Sequence, residues 1–118
     1  MPDANKENAL NQLVGAAFGA AGQRCMALTT AVFVGETKEW IPELIEKAKK
    51  LKVNAGHEPG TDIGPVISKD SKARIHRIIE TSEKQGAKIL LDGRNCKVPN
   101  YEKGNFVGPT VIGDAKVY

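Results

Sequence analysis

Cys25 is the residue in this sequence that is best suited to covalent chemistry. It lies in the run Gly-Gln-Arg-Cys-Met-Ala at positions 22–27, between a predicted helix and a predicted strand. Rigid elements on both sides hold a short turn in place, and such turns often carry functional groups. A cysteine nucleophile acts as its thiolate, which a neighbouring cation such as Arg24 stabilises. The alternative is a small buried thiol, and one Cys beside one Arg leaves both interpretations open.

The other reactive side chains form no recognisable constellation. Cys96 lies in a polar loop beside Lys97 and is interpreted as an incidental surface thiol. His57 and His76 have no ligand spacing to another His, Cys or carboxylate, so no metal site is predicted. The carboxylates are scattered and form no pair for general acid–base work. No glycine-rich phosphate loop follows a strand, so no nucleotide-phosphate site is expected within the chain.

Composition narrows the class of protein. The chain has 118 residues, of which 41% are hydrophobic, and this predicts one globular domain. The net charge of +3 is spread along the chain, which does not indicate a nucleic-acid partner. Two cysteines are too few for a disulfide framework, and no stretch of about 18 apolar residues predicts a membrane span. The first residues resemble neither a signal nor a transit peptide.

Helix and strand patterns alternate, which indicates an α/β layer structure. An apolar stripe over residues 10–21 predicts a first helix, capped by Asp3 or Asn5 and ended by Gly22. Residues 29–35 are β-branched and aromatic and predict a buried strand. A second helix is predicted over residues 38–52, with Pro42 in its first turn because an interior proline would break it.

The second half of the chain continues the alternation. A Gly/Pro-rich loop over residues 53–65 leads to a third helix, capped by Ser68 and ended at Gly86. Ile75, Ile78 and Ile79 are predicted to face inward. Residues 88–91 predict a short strand, and residues 106–112 an extended segment in which Pro109 favours an edge or irregular strand.

Four segments together resemble the aldehyde dehydrogenase superfamily. They are Gly-Gln-x-Cys before a strand, the loop Pro-Gly-Thr-Asp-Ile-Gly-Pro-Val-Ile at 59–67, Gln-Gly-Ala-Lys-Ile-Leu at 85–90 and Phe-Val-Gly-Pro-Thr at 106–110. The resemblance covers essentially the whole chain, in order. It implies the three-layer αβα catalytic domain of that family, with about three helices and three strands present here and an incomplete sheet. It also implies that Cys25 is the catalytic nucleophile.

A finer resemblance is to the CoA-acylating branch of the family, carried by the runs at 2–8, 20–27 and 101–106. It implies oxidation of malonate or methylmalonate semialdehyde to acetyl-CoA or propanoyl-CoA, in valine and pyrimidine catabolism. NAD is then the cofactor, CoA the co-substrate and a Cys25 thioester the intermediate. Because these substrates carry a carboxylate, Arg24 is the predicted substrate-binding residue, through charge-assisted hydrogen bonds. The resemblance also implies a mitochondrial, homotetrameric parent enzyme, with a bacterial cytoplasmic relative as the alternative.

Two family features have no counterpart in these residues. The sequence shows neither the family's cofactor-binding domain with its oxyanion Asn nor the Glu-Glu-Ile-Phe-Gly-Pro segment that holds the nicotinamide ribose. We therefore expect residues 1–118 to be a nucleophile-bearing part of the catalytic domain, inactive alone, with unknown cofactor-binding residues and exposed strand edges. Two alternatives stay open: a hydrolytic aldehyde dehydrogenase, in which a Glu base releases the acid, and a non-catalytic interaction fragment.

Overall fold

Residues 1–115, the part described by the computed structural model, contain three α-helices and a two-stranded antiparallel sheet. The helices are α1 (Lys6–Phe18), α2 (Ile41–Lys49) and α3 (Lys69–Lys84), and the strands are β1 (Lys88–Leu91) and β2 (Val111–Gly113). Short 3₁₀ segments, Gly19–Gly22 and Gly35–Trp40, follow α1 and precede α2. The predicted α/β class and the incomplete sheet are confirmed. None of these helices, within the described residues, is both long and apolar enough to cross a membrane.

Helix α1 is fixed at its start by a cap and along its length by α2. The Asn5 side chain accepts a hydrogen bond of 3.0 Å from the Asn8 N–H, so Asn5 is the cap of the two that the sequence offered. Leu10 and Val14 are buried and form a core cluster with Leu44 of α2. The apolar stripe has its predicted packing role at Leu10 and Val14. The predicted end at Gly22 was wrong, because α1 ends at Phe18 and the backbone then turns left-handed at Ala20 and Ala21.

Helices α2 and α3 mostly follow their sequence signals. Pro42 lies in the first turn of α2, although the α-helix begins at Ile41 rather than near position 38 because a 3₁₀ segment precedes it. The Ser68 hydroxyl caps α3, and Gly86 follows its end with a left-handed φ of 92°. Ile79 is buried, but Ile78 is exposed, so the predicted inward orientation was wrong for Ile78. No described residue covers that side of the helix enough to bury it.

The strand predicted at residues 29–35 is not formed. Residues 29–34 have no regular structure, and the Val32 side chain is 81% exposed. A strand requires a neighbour with which it exchanges backbone hydrogen bonds, and the described residues provide none along this segment. The segment has the residue types of a strand, but residues 1–115 contain no strand that pairs with it, as expected for an incomplete sheet.

The loop at residues 63–67, which we call the Gly-Pro loop, is held at both ends. At its start, the N–H of Lys52 donates to Asp62 Oδ2 at 2.8 Å, and the Lys52 carbonyl accepts from the Ile63 N–H at 3.0 Å. Further on, the Val66 N–H donates to the Asn105 carbonyl at 2.9 Å. Ile63 and Val66 are both buried. The loop is therefore a fixed surface against which another segment can be positioned.

The small sheet is closed off by two glycines. Strand β1 pairs with β2 from Lys88↔Gly113 to Leu91↔Val111, with an irregularity between Ile89 and Leu91. After β1, the Gly108 N–H donates to the Gly93 carbonyl at 2.9 Å, and a Cβ on Gly93 would overlap the Gly108 backbone. The predicted last extended segment covered residues 106–112, but the strand β2 comprises only residues 111–113. Pro109 therefore lies in irregular chain, as its residue type predicted.

Candidate active site

The backbone before Cys25 reverses direction through three successive left-handed residues. Ala20, Ala21 and Gly22 have φ values of 51°, 54° and 71°. This conformation costs a residue with a Cβ about 1–2 kcal/mol, so two alanines in it represent stored strain. Such strain persists only where surrounding contacts hold the chain in place, and it is common at functional sites. We call residues 20–27 the cysteine turn.

The end of α1 holds the chain around the cysteine turn through the Gly15 and Ala16 carbonyls, and the Gly15 carbonyl also accepts from the Gly19 N–H. The Leu28 N–H donates to the Ala16 carbonyl at 3.2 Å, and Arg24 Nη2 donates to the Gly15 carbonyl at 2.7 Å. The Arg24 guanidinium also fills the space in which a Cβ on Gly19 would lie. A cation at a helix C-terminus is favourable because the helix dipole is negative there.

Gln23 links the cysteine turn to the Gly-Pro loop. Its Nε2 donates to the Pro65 carbonyl at 3.3 Å and to the Ala20 carbonyl at 3.1 Å. Its Oε1 accepts from the Ile67 N–H at 2.8 Å. One side-chain amide therefore joins two segments that lie more than forty residues apart in sequence, and the motif Gly-Gln-x-Cys gave no sign of that partner.

Cys25 lies at the outer part of this turn and is exposed. The Ala27 N–H donates to the Arg24 carbonyl at 3.0 Å, which closes a tight turn around Cys25 and Met26. Arg24 shares the turn, but its guanidinium reaches back to α1 rather than outward. The two residues singled out by the sequence are thus neighbours in space, and Arg24 is occupied by a backbone contact.

Gly15 in α1 and Gly19 just after it have different surroundings. A Cβ on Gly15 would meet no neighbour within 4 Å. Gly19 does allow a close approach, but the partner is the Arg24 side chain rather than another backbone. Spacing alone did not reveal this contact, because Arg24 follows the reversal of the chain.

An apolar cavity of about 460 Å³ lies between α1 and the segment at residues 28–33. Its lining includes Leu13, Phe33 and Trp40 but, within residues 1–115, neither Cys25 nor Arg24. This cavity is therefore separate from the Cys25 thiol.

Cys96 is half-buried, which corrects its interpretation as an incidental surface thiol. Burial raises the pKa of the Cys96 thiol, and the nearby Lys72 charge opposes that shift only in part. Because the thiolate is the reactive form, a raised pKa makes Cys96 the less reactive type of cysteine. The polar composition of the loop predicted an exposed thiol, but Cys96 packs close to Gly108, and this contact partly buries it.

His57 belongs to a polar cluster that sequence spacing did not indicate. The Tyr101 hydroxyl donates to Glu58 Oε1 at 2.9 Å and lies 2.9 Å from His57 Nε2. The hydrogen bond and the charge of Glu58 help to raise the pKa of Tyr101. His76 is half-buried, and its Nε2 has no hydrogen-bond partner among the described residues. Residues 1–115 contain no group of three His, Cys, Asp or Glu side chains that could hold a metal ion.

The chain belongs to the aldehyde dehydrogenase family. The sequence profile of that family matches residues 1–117, which is nearly the whole chain. The match agrees with the geometry, because the exposed Cys25, its strained turn and the Gly-Pro loop lie together at one site.

Relatives within the family are methylmalonate-semialdehyde/malonate-semialdehyde dehydrogenases that are named acylating and mitochondrial. The protein of Bos taurus is 66% identical over 116 residues, which are 98% of this chain and 22% of that protein. The same name, qualified there as probable, belongs to a protein of Anopheles gambiae that is 73% identical over 114 residues, 97% of this chain and 22% of that protein. The chain thus spans about a fifth of the length of these relatives.

Solved structures give the same fold. The methylmalonate-semialdehyde dehydrogenase of Oceanimonas doudoroffii matches with a TM-score of 0.89 and 47% identity, over 95% of this chain and 23% of that one. The betaine aldehyde dehydrogenase of Staphylococcus aureus, crystallised in complex with NAD⁺, matches with a TM-score of 0.91 and 29% identity, over 97% of this chain and 23% of that one. Residues 1–115 therefore have the fold of the corresponding part of these enzymes.

Proposed function

We propose that this chain supplies the cysteine nucleophile of an NAD-dependent, CoA-acylating dehydrogenase that oxidises malonate or methylmalonate semialdehyde. The observation that carries the proposal is the position of Cys25, exposed on a strained turn that α1 and the Gly-Pro loop both hold. High identity to acylating semialdehyde dehydrogenases supports the substrate class. Residues 1–118 are then part of a catalytic domain. Residues 116–118 lie outside the described residues.

The first chemical step belongs to Cys25. Its thiolate attacks the aldehyde carbon, a C–S bond forms, and the carbonyl electron pair moves to oxygen to give a thiohemiacetal. The new oxyanion requires donors arranged in advance, and the backbone N–H of Cys25 is the donor that this chain contributes. Because the turn is fixed before substrate arrives, little reorganisation accompanies the attack.

The remaining redox chemistry needs a hydride acceptor, and residues 1–115 lack one common element of an NAD site, the glycine-rich turn that holds a pyrophosphate. Each α-helix in residues 1–115 is preceded by loop or 3₁₀ segments, so no strand runs through a glycine-rich turn into a helix that would cradle a pyrophosphate. The C–H bond of the thiohemiacetal carbon breaks as the oxyanion pair re-forms the carbonyl, and NAD bound by other parts of the enzyme would accept the hydride. The role of Cys25 is to hold the resulting acyl group as a thioester and to leave as thiolate when the CoA thiol attacks.

Product identity sets a further requirement on the assembled enzyme. Acetyl-CoA carries one carbon fewer in its acyl group than malonate semialdehyde, so the carboxylate must leave as carbon dioxide. We propose NAD as cofactor and CoA as acyl acceptor on the basis of the relatives named acylating and the neighbours solved with NAD⁺. A mitochondrial location, a homo-oligomeric assembly and a place in valine and pyrimidine catabolism belong to the same proposal.

Arg24 is proposed to bind the substrate carboxylate, and this requires its guanidinium to exchange the Gly15 carbonyl for the ligand. Replacing Arg24 by Leu should then raise KM for malonate semialdehyde more than KM for propanal, which has no carboxylate. Equal effects on the two aldehydes would mean that Arg24 only stabilises the end of α1 and does not bind the substrate carboxylate. Arg24→Lys is the matched variant, because it keeps the charge and loses the planar pair of donors.

The hydrolytic alternative is tested by the fate of the acyl group. A full-length enzyme containing this segment is mixed with malonate semialdehyde and NAD, and NADH is followed with and without CoA. Strict dependence on CoA, with acyl-CoA as product, supports the proposal. Equal rates without CoA and release of a free acid would transfer the enzyme to the hydrolytic branch. Co-purification with the full-length enzyme but no requirement for Cys25 would favour the non-catalytic interaction fragment.

A further inference from the structure

Gln23 makes the contacts expected of a residue that positions the cysteine turn. Its amide faces the Gly-Pro loop with both functional groups, accepting from the Ile67 N–H at 2.8 Å and donating to the Pro65 carbonyl at 3.3 Å. This is the two-point pairing that a backbone peptide makes with an extended neighbour. A side chain that pairs in this way fixes both the distance and the orientation between the two segments.

The same amide also acts within the turn. Gln23 Nε2 donates to the Ala20 carbonyl at 3.1 Å, and the Gln23 backbone N–H donates to that carbonyl at 3.0 Å. Ala20 and Ala21 are the two alanines with left-handed backbone. A conformation of this kind needs external contacts to persist, and Gln23 supplies them two residues before Cys25.

The opposite side of the contact is rigid enough to serve as a reference. The Gly-Pro loop is anchored through the Ile63 N–H and the Val66 N–H, and both of these side chains are buried. A flexible loop would transmit no positional information to the turn. Here the anchored Gly-Pro loop holds the Gln23 side-chain amide, and that amide holds the segment that carries Cys25.

We propose that Gln23 is a positioning residue, which sets the orientation of Cys25 by clamping the cysteine turn to the Gly-Pro loop. The inference rests on the proposed function, because the positioned group is the proposed nucleophile. Gln23 touches no reacting atom in this scheme and acts through the backbone of the turn. Misplacement of a reacting group by about 1 Å can lower a rate by about a hundredfold, so a clamp of this kind has a measurable consequence.

The clamp itself is tested without reference to catalysis. Hydrogen exchange of the Ile67 amide is measured in the 118-residue chain for Gln23→Leu and for Gln85→Leu. Gln85 is the matched control, because it is an exposed glutamine at the C-terminal cap of α3 and its side chain makes no hydrogen bond within residues 1–115. Loss of the acceptor should speed exchange at Ile67 about fivefold in Gln23→Leu only. Unchanged exchange at Ile67 would overturn the clamp.

The positioning role is tested in a full-length enzyme that contains this segment. Gln23→Leu should lower kcat at least tenfold, counted per titratable active site, with the aldehyde KM within twofold of the original. Gln23→Glu keeps an acceptor for the Ile67 N–H but faces the Pro65 and Ala20 carbonyls with a carboxylate, so kcat should fall while Ile67 stays protected. Unaltered kcat in both variants would overturn the proposal.

Two controls keep the outcomes separable. If the variant has a lower rate per milligram of protein but a normal kcat per titratable active site, Gln23 acts in folding alone, and this contradicts positioning. Retained activity in Cys25→Ala contradicts the proposed function, whatever the Gln23 variants do, whereas faster exchange at Ile67 with normal kcat contradicts only the positioning role. If Gln23→Leu does not fold in either context, Gln23→Glu carries the same kinetic test.

Discussion

The strain in the cysteine turn predicts that one alanine-to-glycine substitution stabilises the protein while another destabilises it. Ala20 is exposed and has φ 51° and ψ 36°. Ala73 is also exposed, but it lies within α3, where the backbone is right-handed helix. The two substitutions remove the same methyl group from an exposed position and differ in backbone conformation.

The magnitude follows from the two conformations. Left-handed backbone costs an alanine about 1–2 kcal/mol, and glycine adopts it without that cost. Glycine gains about 0.4–1 kcal/mol of additional freedom in the unfolded chain, which offsets part of the relief. Ala20→Gly should therefore raise the free energy of unfolding by about 0.5–1 kcal/mol. Ala73→Gly should lower it by about 1 kcal/mol, the usual effect within a helix.

Urea denaturation followed by circular dichroism measures both changes on the 118-residue chain. The midpoints should move in opposite directions with an unchanged m-value, because neither substitution alters the buried surface much. In a thermal scan, Ala20→Gly should raise Tm by about 2–4 °C. If Ala20→Gly lowers stability as much as Ala73→Gly does, then the turn is not strained and this account of its anchoring is wrong.

Three further predictions concern the core, the thiols and the loop after β1. Leu10 of α1 is fully buried against α2, so Leu10→Ala should lower the free energy of unfolding by about 3 kcal/mol, measured by urea denaturation. A loss below about 1 kcal/mol would contradict its core position. At pH 8, iodoacetamide should alkylate Cys25 faster than Cys96, because Cys25 is exposed and burial raises the pKa of Cys96, and the difference should vanish in urea, as peptide mass spectrometry would register. The Arg94 side chain, held by Asp92 at 2.9 Å, keeps the pKa of Asp92 below its usual range, so this pair stabilises the fold above that range and the stabilisation is lost as pH falls through the lowered pKa. Asp92→Asn should therefore flatten the acid limb of the stability curve at pH values below the usual pKa of an aspartate, and an unchanged limb would refute the assignment.

Local signals in the sequence predicted the helices well. Asn5 and Ser68 are caps because their side-chain oxygens accept from backbone N–H groups three residues on, and that chemistry is visible from residue type. Pro42 lies in the first turn of α2 for an equally local reason, although the helix begins three residues later than predicted. The segment at 29–35 failed because a strand depends on a partner, and residue type says nothing about whether the partner is present.

The site was predictable only in part. Cys25 stood out by its motif, and its exposure agrees with that choice. The destination of the Arg24 guanidinium depends on the left-handed reversal at Ala20 and Ala21, which no propensity favours for alanine. Gln23 was visible as a letter of the motif, but its partners on the Gly-Pro loop are long-range contacts that only the fold brings together.

The proposed function requires Cys25 to carry the acyl group that is passed to CoA. The most direct measurement is the mass of the Cys25-containing peptide after acid quench of a full-length enzyme incubated with malonate semialdehyde and NAD. We expect a covalent acyl adduct on Cys25 that accumulates without CoA and disappears when CoA is added. Turnover to acyl-CoA with an unmodified Cys25 peptide throughout, or with Cys25 replaced by Ala, would contradict it.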